Sequence, residues 1–246
     1  MKAAWTVMKR EVRSFFISPI AYVVLTAWVG VNGLVFYQLA TYFSRNVSQS
    51  PTDTPLSLFF GSSIFIHMAM LVFVPVMTMR LVAEERSSGT IEPLLTAPIG
   101  ERAVVFGKYA AALVFWMALW APTLLYVWIT SNYGGVDLGV VGSSYLGVMG
   151  VGVYYTAIGL LMSVLSRNQI IAAVLTFMVL GLLFAIGVFE FVVPEHRDVF
   201  AYLSVWTQMD TFAKGIVDSR YLVFDLSLAA VSLFIAVRVL EARRFD

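Results

Sequence analysis

Few residues of this chain have the type and spacing that catalysis or metal binding requires. The 246 residues include no cysteine and only two histidines, which excludes a cysteine nucleophile, a disulfide framework and a cysteine-based zinc site. The metalloprotease pattern H-E-x-x-H and the hydrolase pattern G-x-S-x-G do not occur in the sequence. We therefore predict no catalytic residue and no metal site.

The nearest approach to a phosphate-binding loop is GERAVVFGKY, from Gly100 to Tyr109. Such a loop needs four residues between its glycines, and Ser or Thr after its lysine. Here six residues separate Gly100 from Gly107, and Tyr109 follows Lys108. The chain is therefore predicted to hold no cofactor of its own, and any nucleotide-derived energy must come from a separate chain.

One titratable residue, His67, lies midway along a long apolar stretch. Ionisable groups inside a bilayer are costly and often mark proton or ion sites. A lone histidine also serves as a hydrogen-bonded packing residue, and no carboxylate accompanies His67 in its stretch, so packing is the favoured interpretation. Asp225 and Glu190 lie at the outer ends of other apolar stretches, where we expect water to reach them.

The composition indicates an integral membrane protein. Hydrophobic residues make up 60% of the chain and charged residues 13%, about half the charged share of a soluble domain. The net charge of +1 gives no reason to expect nucleic acid as a partner. The sequence predicts an all-α single domain over residues 1–246 with six transmembrane helices. They are expected near residues 18–42, 56–80, 104–130, 139–166, 169–190 and 221–240.

The distribution of Lys and Arg predicts the orientation of these helices. With the N-terminus inside, only Arg45, Arg197, Lys214 and Arg220 lie outside, and the other 12 of the 16 cations lie inside. Because cytoplasmic loops are enriched in Lys and Arg, both termini are predicted to be cytoplasmic.

The first 16 residues carry apolar side chains at helical spacing: Trp5, Met8, Val12 and Phe15. Cations occupy the other faces, which favours an amphipathic helix in the inner membrane interface. The alternative is a basic flank that only sets topology.

Three further patterns concern packing. Small residues recur every fourth position at Gly139, Ser143 and Gly147, and again at Gly152 and Thr156. They allow helices to approach closely, within one bundle in preference to a dimer seam. Pro75 and Pro122 are expected to kink their spans.

The outer segment 190–220 has aromatic and aliphatic residues that suit short amphipathic helices, although an irregular loop is equally compatible. These residues are Phe200, Leu203, Trp206 and Phe212.

The segment RLVAEERSSGTIEPLLTAPIGER, from Arg80 to Arg102, interrupts the apolar sequence on the cytoplasmic side. The second span is expected to continue into it and to end near Gly89, the residue type favoured just past a helix. Thr90 is a suitable N-cap for a short second helix, which Pro98 and Gly100 would end before a third helix begins at Glu101. Its apolar face must be buried either against the membrane and the bundle or in a groove on a partner. That face is formed by Ile91, Leu94 and Leu95.

This segment and its continuation resemble the signature of ABC-2 type transporter permeases. The family pattern is Glu-Glu, a basic and a small residue, Gly-Thr, an apolar residue, Glu, Leu-Leu-x-x-Pro and then Gly-Lys. The matching residues are Glu84, Glu85, Arg86, Gly89, Thr90, Glu92, Leu94, Leu95, Pro98, Gly107 and Lys108. The stretch FAKGIVDSRYLVFDLS, residues 212–227, is similar to permeases of the branch that includes gliding-motility transporters. Pro93 departs from the pattern of many relatives.

The resemblance implies an exporter subunit of the bacterial inner membrane that pairs with a second permease copy, identical or closely related. Separate ATPase subunits would bind ATP and Mg, and residues 83–100 would form the coupling region that docks on them. The N-terminal helix would be a second contact. Two alternatives remain open at this level: a subunit that transmits force to a periplasmic accessory protein, and an ion-coupled carrier that uses His67. Membrane lipids would surround the spans.

Overall fold

The computed structural model describes residues 2–45, 54–87, 89, 100–133, 135–192, 195 and 197–242. Within these ranges the chain is helical and contains no strand. The longer helices of the N-terminal half of the chain are α1 (Lys2–Ile17), α2 (Pro19–Arg45), α4 (Ile64–Thr78), α5 (Arg80–Ser87) and α6 (Glu101–Trp120). A short α3 (Pro55–Ser57) precedes α4. The remaining helices are α7 (Leu124–Tyr133), α8 (Leu138–Leu165), α9 (Gln169–Val192), α10 (Arg197–Leu203), α11 (Val205–Ala213) and α12 (Ser219–Ala242).

In the described part of the chain, six helical stretches are long and apolar enough to cross a membrane, which confirms the predicted all-α fold with six spans. They are Pro19–Arg45, Ile64–Ser87, Glu101–Tyr133, Leu138–Leu165, Gln169–Glu190 and Ser219–Ala242. Each exceeds the roughly 20 residues that a bilayer requires. The protein is therefore a multi-pass membrane protein.

The second span begins at Ile64, later than the sequence predicts. Residues 55–62 instead form α3 and one π-helical turn, Leu58–Ser62. Thr54 caps α3 through a capping box with Ser57, and Pro55 occupies the first helical position, where its missing N–H has no consequence. Phe59 and Phe60 of this turn are buried in the aromatic core. Hydropathy did not separate the two elements because both are apolar.

Both prolines within the spans coincide with helix irregularities, as predicted. At Pro122 the helix tightens into a 3-10 turn, Ala121–Thr123, which separates α6 from α7. Pro75 lies in the last turn of α4, and the helix is interrupted at Met79 before α5 continues. Proline removes a backbone donor and crowds the preceding turn.

The long helix α8 forms the centre of the bundle, and most of its residues are buried. Three of its small residues, Ser143, Gly147 and Gly152, lie against other helices of the same chain. A Cβ atom on Gly147 would lie 2.9 Å from the Phe212 ring, and Ser143 donates to Phe212 O at 2.7 Å. Gly152 faces Trp116 without room for a side chain. The predicted role of the small-residue pattern in packing within the bundle is thus confirmed.

The outer segment contains the two short helices α10 and α11, and the latter covers the outer end of α8. The expectation that water reaches Asp225 is wrong, since this residue is 1% exposed and accepts a 2.7 Å hydrogen bond from Gln208 Nε2. Glu190 is likewise buried and accepts a 2.6 Å bond from the Thr207 hydroxyl. Both donors lie on α11, so this helix shields and partners the two carboxyl groups, which buried groups require.

Candidate functional site

Among the described residues, the most polar buried site lies around Lys108 of α6, at the ends of spans two and three that contact α1. This lysine is 1% exposed. Its Nζ donates to Leu81 O at 2.6 Å and lies 3.0 Å from Glu11 Oε1 and 2.9 Å from Glu85 Oε1. An ammonium has three donors, and three acceptors surround this one. A buried charge is tolerated only when it is paired and hydrogen-bonded in this way.

Arg10 completes the group, which we call the inner ion cluster: Arg10, Glu11, Glu85 and Lys108. The Arg10 Nη2 atom lies 2.9 Å from Glu11 Oε1 and 3.0 Å from Glu85 Oε1. Each carboxylate is therefore shared by two cations, and the four formal charges cancel. The cluster joins α1 to α5 and α6, and its Glu11 and Lys108 are 97 positions apart in sequence.

The pKa of Glu11 reflects this pairing. Burial by itself raises the pKa of the Glu11 carboxyl, but the charges of Lys108 and Arg10 and their hydrogen bonds outweigh burial and lower it. The hydrogen bond to Glu11 in turn raises the pKa of Arg10, with the charges of Glu11 and Glu85 acting in the same direction. Opposite charges within about 4–6 Å favour the ionised forms. Near neutral pH Glu11 is therefore ionised.

Apolar packing holds α1 against α6 alongside the cluster. A Cβ atom on Gly107 would lie 2.8 Å from Ala4 O and from Val7, so glycine permits this close approach. Further along, Phe15 stacks on Phe115 with ring centroids 4.9 Å apart. These contacts make α1 part of the bundle surface.

Only part of the predicted apolar face of α1 is covered by the rest of the bundle. Phe15 is buried, and Met8 and Val12 pack against the core, whereas Trp5 is 55% exposed. The buried residue that the pattern missed is Val7, which lies over Gly107. Residues 2–17 are helical as expected, and the location of α1 in the membrane interface stays a prediction.

Helix α5 is hydrogen-bonded to α8 at the interruption of span two near Met79. Ser163 Oγ accepts hydrogen bonds from the N–H groups of Val82 (3.0 Å) and Ala83 (3.1 Å), and donates to Met79 O at 3.0 Å. One turn away, Gly159 leaves space for Thr78. The hydroxyl thus satisfies the backbone groups that the break exposes.

The inner end of α5 is also fixed. Arg86 Nη1 donates to the carbonyl oxygen of Ser166, the C-cap residue just past the end of α8, at 3.1 Å. Arg80 forms an ion pair with Glu84 at 3.3 Å and donates to Ser18 Oγ at 2.8 Å. Glu84 is the more exposed of the two adjacent glutamates, while Glu85 faces the inner ion cluster.

The predicted break and restart around the coupling region are present where the structure describes them. The helix ends at Ser87, and Gly89 has a φ of 72°, the left-handed conformation typical just past a helix end. Helix α6 begins at Glu101, as the sequence predicts. The predicted short helix and its site residues lie outside the described residues: Thr90, Ile91, Glu92, Leu94, Leu95 and Pro98.

His67 lies far from this site, near the outer end of α4. Its Nδ1 atom is 2.8 Å from Ser63 O, and its ring stacks on Trp206 with centroids 5.3 Å apart. These contacts support the packing interpretation, in which His67 connects α4 to α11. Among the described residues, no three His, Asp or Glu side chains are grouped to hold a metal ion.

Sequence reasoning identified Glu85 and Lys108 only through the family pattern and missed the roles of Arg10 and Glu11. A signal for Glu11 was present, because it is the only acidic residue among the first 52. A lone carboxylate in a basic helix indicates a specific cationic partner, but the sequence does not say which cation that partner is.

The comparison with known proteins agrees with this architecture. The family model described as ABC-2 family transporter protein matches residues 5–220, a range that contains the whole inner ion cluster and every span but the last. None of the curated proteins matches the chain significantly. Because the family model covers most of the chain, the protein belongs to the ABC-2 transporter family and is a membrane permease of an ABC transporter.

Proposed function

We propose that this permease is the membrane subunit of an ATP-driven exporter and that separate ATPase subunits move it through residues 88–99. The inner ion cluster carries this proposal. It ties Glu85 of α5 and Lys108 of α6, which lie on either side of that segment, to each other within 2.9 Å. A force applied to the segment would therefore act on spans two and three as one unit.

The surrounding contacts support the same mechanism. Ser163 and Arg86 attach α5 to the central helix α8, and Glu11 attaches α1 to α6. Coupling over such distances needs packed elements with continuous contacts. Motion at the segment would thus reach the centre of the bundle and the N-terminal helix together.

The chain offers no chemistry that would replace an external energy source. Its sequence has no phosphate-binding loop, and His67 makes packing contacts. ATP and Mg are therefore assigned to the partner ATPase. The assembly we propose contains two permease copies in a bacterial inner membrane, with both termini of each chain cytoplasmic.

The experiment is reconstitution of the full chain with its co-purifying ATPase in liposomes. Replacing both Leu94 and Leu95 with Glu should abolish stimulation of the ATPase and lower co-purification, because a charged face cannot enter an apolar groove. The control is Arg167→Glu, an exposed charge reversal on the inner turn between α8 and α9, which should leave both quantities unchanged. If the double leucine variant retains full ATPase stimulation and co-purification, the coupling assignment is wrong.

Lys108→Met tests the transmission step separately. We expect this variant to keep its ATPase partner, because residue 108 is buried away from the surface, but to lose most of the ATPase stimulation. Unchanged stimulation would refute the role of the inner ion cluster and leave the docking assignment standing.

A further inference from the structure

A groove of about 560 Å³ runs along the outside of the bundle between α6 and α12. Its floor contains Ala229, Leu233 and Val237 of α12, which are buried, and its walls include Phe106 and Phe234, which are about half exposed or more. The volume falls within the roughly 300–1,000 Å³ typical of ligand sites. The groove opens toward the hydrocarbon of the membrane.

The length of the groove corresponds to one leaflet. Its apolar lining on α12 extends from Leu226 to Val237. Eleven residues of α-helix rise by about 16 Å, which is about half of the ~30 Å hydrocarbon core. A single acyl chain entering from the inner surface would therefore lie along the whole apolar lining.

The inner end of the groove is charged. Its three charged lining residues are Arg102, Arg238 and Glu241. Arg238 lies 3.0 Å from Glu241 and Arg102 lies 4.0 Å from the same carboxylate, so two guanidinium groups share one anion. Both arginine side chains are more than half exposed. Among the described residues that line the groove, one positive charge is left over at this end.

We propose that this groove binds an anionic phospholipid of the inner leaflet, with its phosphate between Arg102 and Arg238 and one acyl chain along α12. Arginine provides planar, paired donors that suit a phosphate, and the cytoplasmic leaflet is the one rich in anionic lipids. The assignment to the inner leaflet rests on the orientation proposed above, whereas the binding site itself does not depend on it.

A second copy of the chain fits this groove less well than a lipid. In a two-fold dimer about the membrane normal, identical residues meet at the same depth. Such a contact would bring Arg102 and Arg238 of one copy close to those of the other, where like charges repel. An anionic lipid instead neutralises the excess charge.

The test measures lipid retention by the purified full chain with native mass spectrometry after delipidation and exposure to phosphatidylglycerol or phosphatidylcholine. The unaltered chain should retain phosphatidylglycerol in preference to phosphatidylcholine. Arg102→Ala and Arg238→Ala should each weaken phosphatidylglycerol binding about fivefold, while Arg167→Ala, which removes an exposed inner cation away from the groove, should not. Ala230→Trp should block both lipids by filling the groove.

Three outcomes would overturn the proposal: equal retention of the two lipids, equal effects of the Arg167 and groove variants, or a change of oligomeric state in Ala230→Trp. The last outcome would assign the groove to a contact between chains. ATPase stimulation serves as the separate readout, since loss of lipid binding with normal coupling leaves the proposed function intact.

Discussion

Replacing Lys108 with methionine should release the N-terminal helix from the bundle. Methionine keeps the length of the lysine stem, so the change removes the charge without leaving a large cavity. Glu11 and Glu85 would each lose one of two cationic partners, and Leu81 O would lose a 2.6 Å hydrogen bond. Breaking a buried ion pair on one side costs about 3–5 kcal/mol. Because Arg10 still pairs with both carboxylates, we expect the lower end, about 3 kcal/mol.

The assay uses the absence of cysteine from the chain. A single cysteine at position 7, where Val7 of α1 is buried against Gly107 of α6, reacts with maleimide only when α1 leaves α6. A loss of 3 kcal/mol in docking raises the open population about 10²-fold, and the labelling rate should rise by the same factor. Lys214→Met is the matched control, because Lys214 forms an exposed pair with Asp210 that contributes about 1 kcal/mol or less.

A double variant distinguishes the ion pair from a general loss of stability. Combining Glu11→Gln with Lys108→Met should cost less than the sum of the two single changes by about 1–3 kcal/mol, since each single change leaves a partner uncompensated. If Lys108→Met labels no faster at Val7 than Lys214→Met does, the inner ion cluster does not hold α1.

Three further predictions concern the same framework. The pKa of Glu11 is lowered in the folded chain, so its contribution to the docking of α1 is present above the unfolded value of about 4.3 and is lost as pH falls through the folded pKa. Because maleimide reacts with the thiolate, labelling at position 7 is expressed relative to that of a fully exposed cysteine at the same pH. This relative labelling should rise in acid, and Glu11→Gln should remove the rise. Gly159→Ala should lower the free energy of unfolding by about 1–3 kcal/mol, because the added Cβ atom would overpack against Thr78 of α4. Gly181→Ala, which has no atom within 4 Å of its Cβ position, should not destabilise the protein in the same unfolding experiment. Ser163→Ala leaves two buried N–H groups without their acceptor and should lower the free energy of unfolding by about 1–3 kcal/mol. The control is Ser232→Ala, which should lower it less because the Ser232 hydroxyl donates to a carbonyl of its own helix. Equal melting temperatures of the two variants would contradict the bridging role of Ser163.

Local features of the sequence were sufficient for much of the fold. Apolar length predicts six spans, and Gly89 and Glu101 mark the break and restart of helix between spans two and three, because helix ends depend on neighbouring residues. The small-residue spacing of α8 indicated close packing, since small side chains such as those of glycine, alanine, serine and threonine permit helices to approach closely. The family pattern added Glu85 and Lys108 but not their mutual contact.

Tertiary structure alone decided which polar groups are paired and which are exposed. Lys108 and Glu11 are 97 positions apart, and helical periodicity carries no information about a partner at that distance. The same reason explains why Asp225 was expected in water: its shielding by α11 depends on how the outer helices fold over α8. Hydropathy is a sum along the chain and fixes which segments enter the membrane, whereas burial of a charge depends on the neighbours that packing supplies.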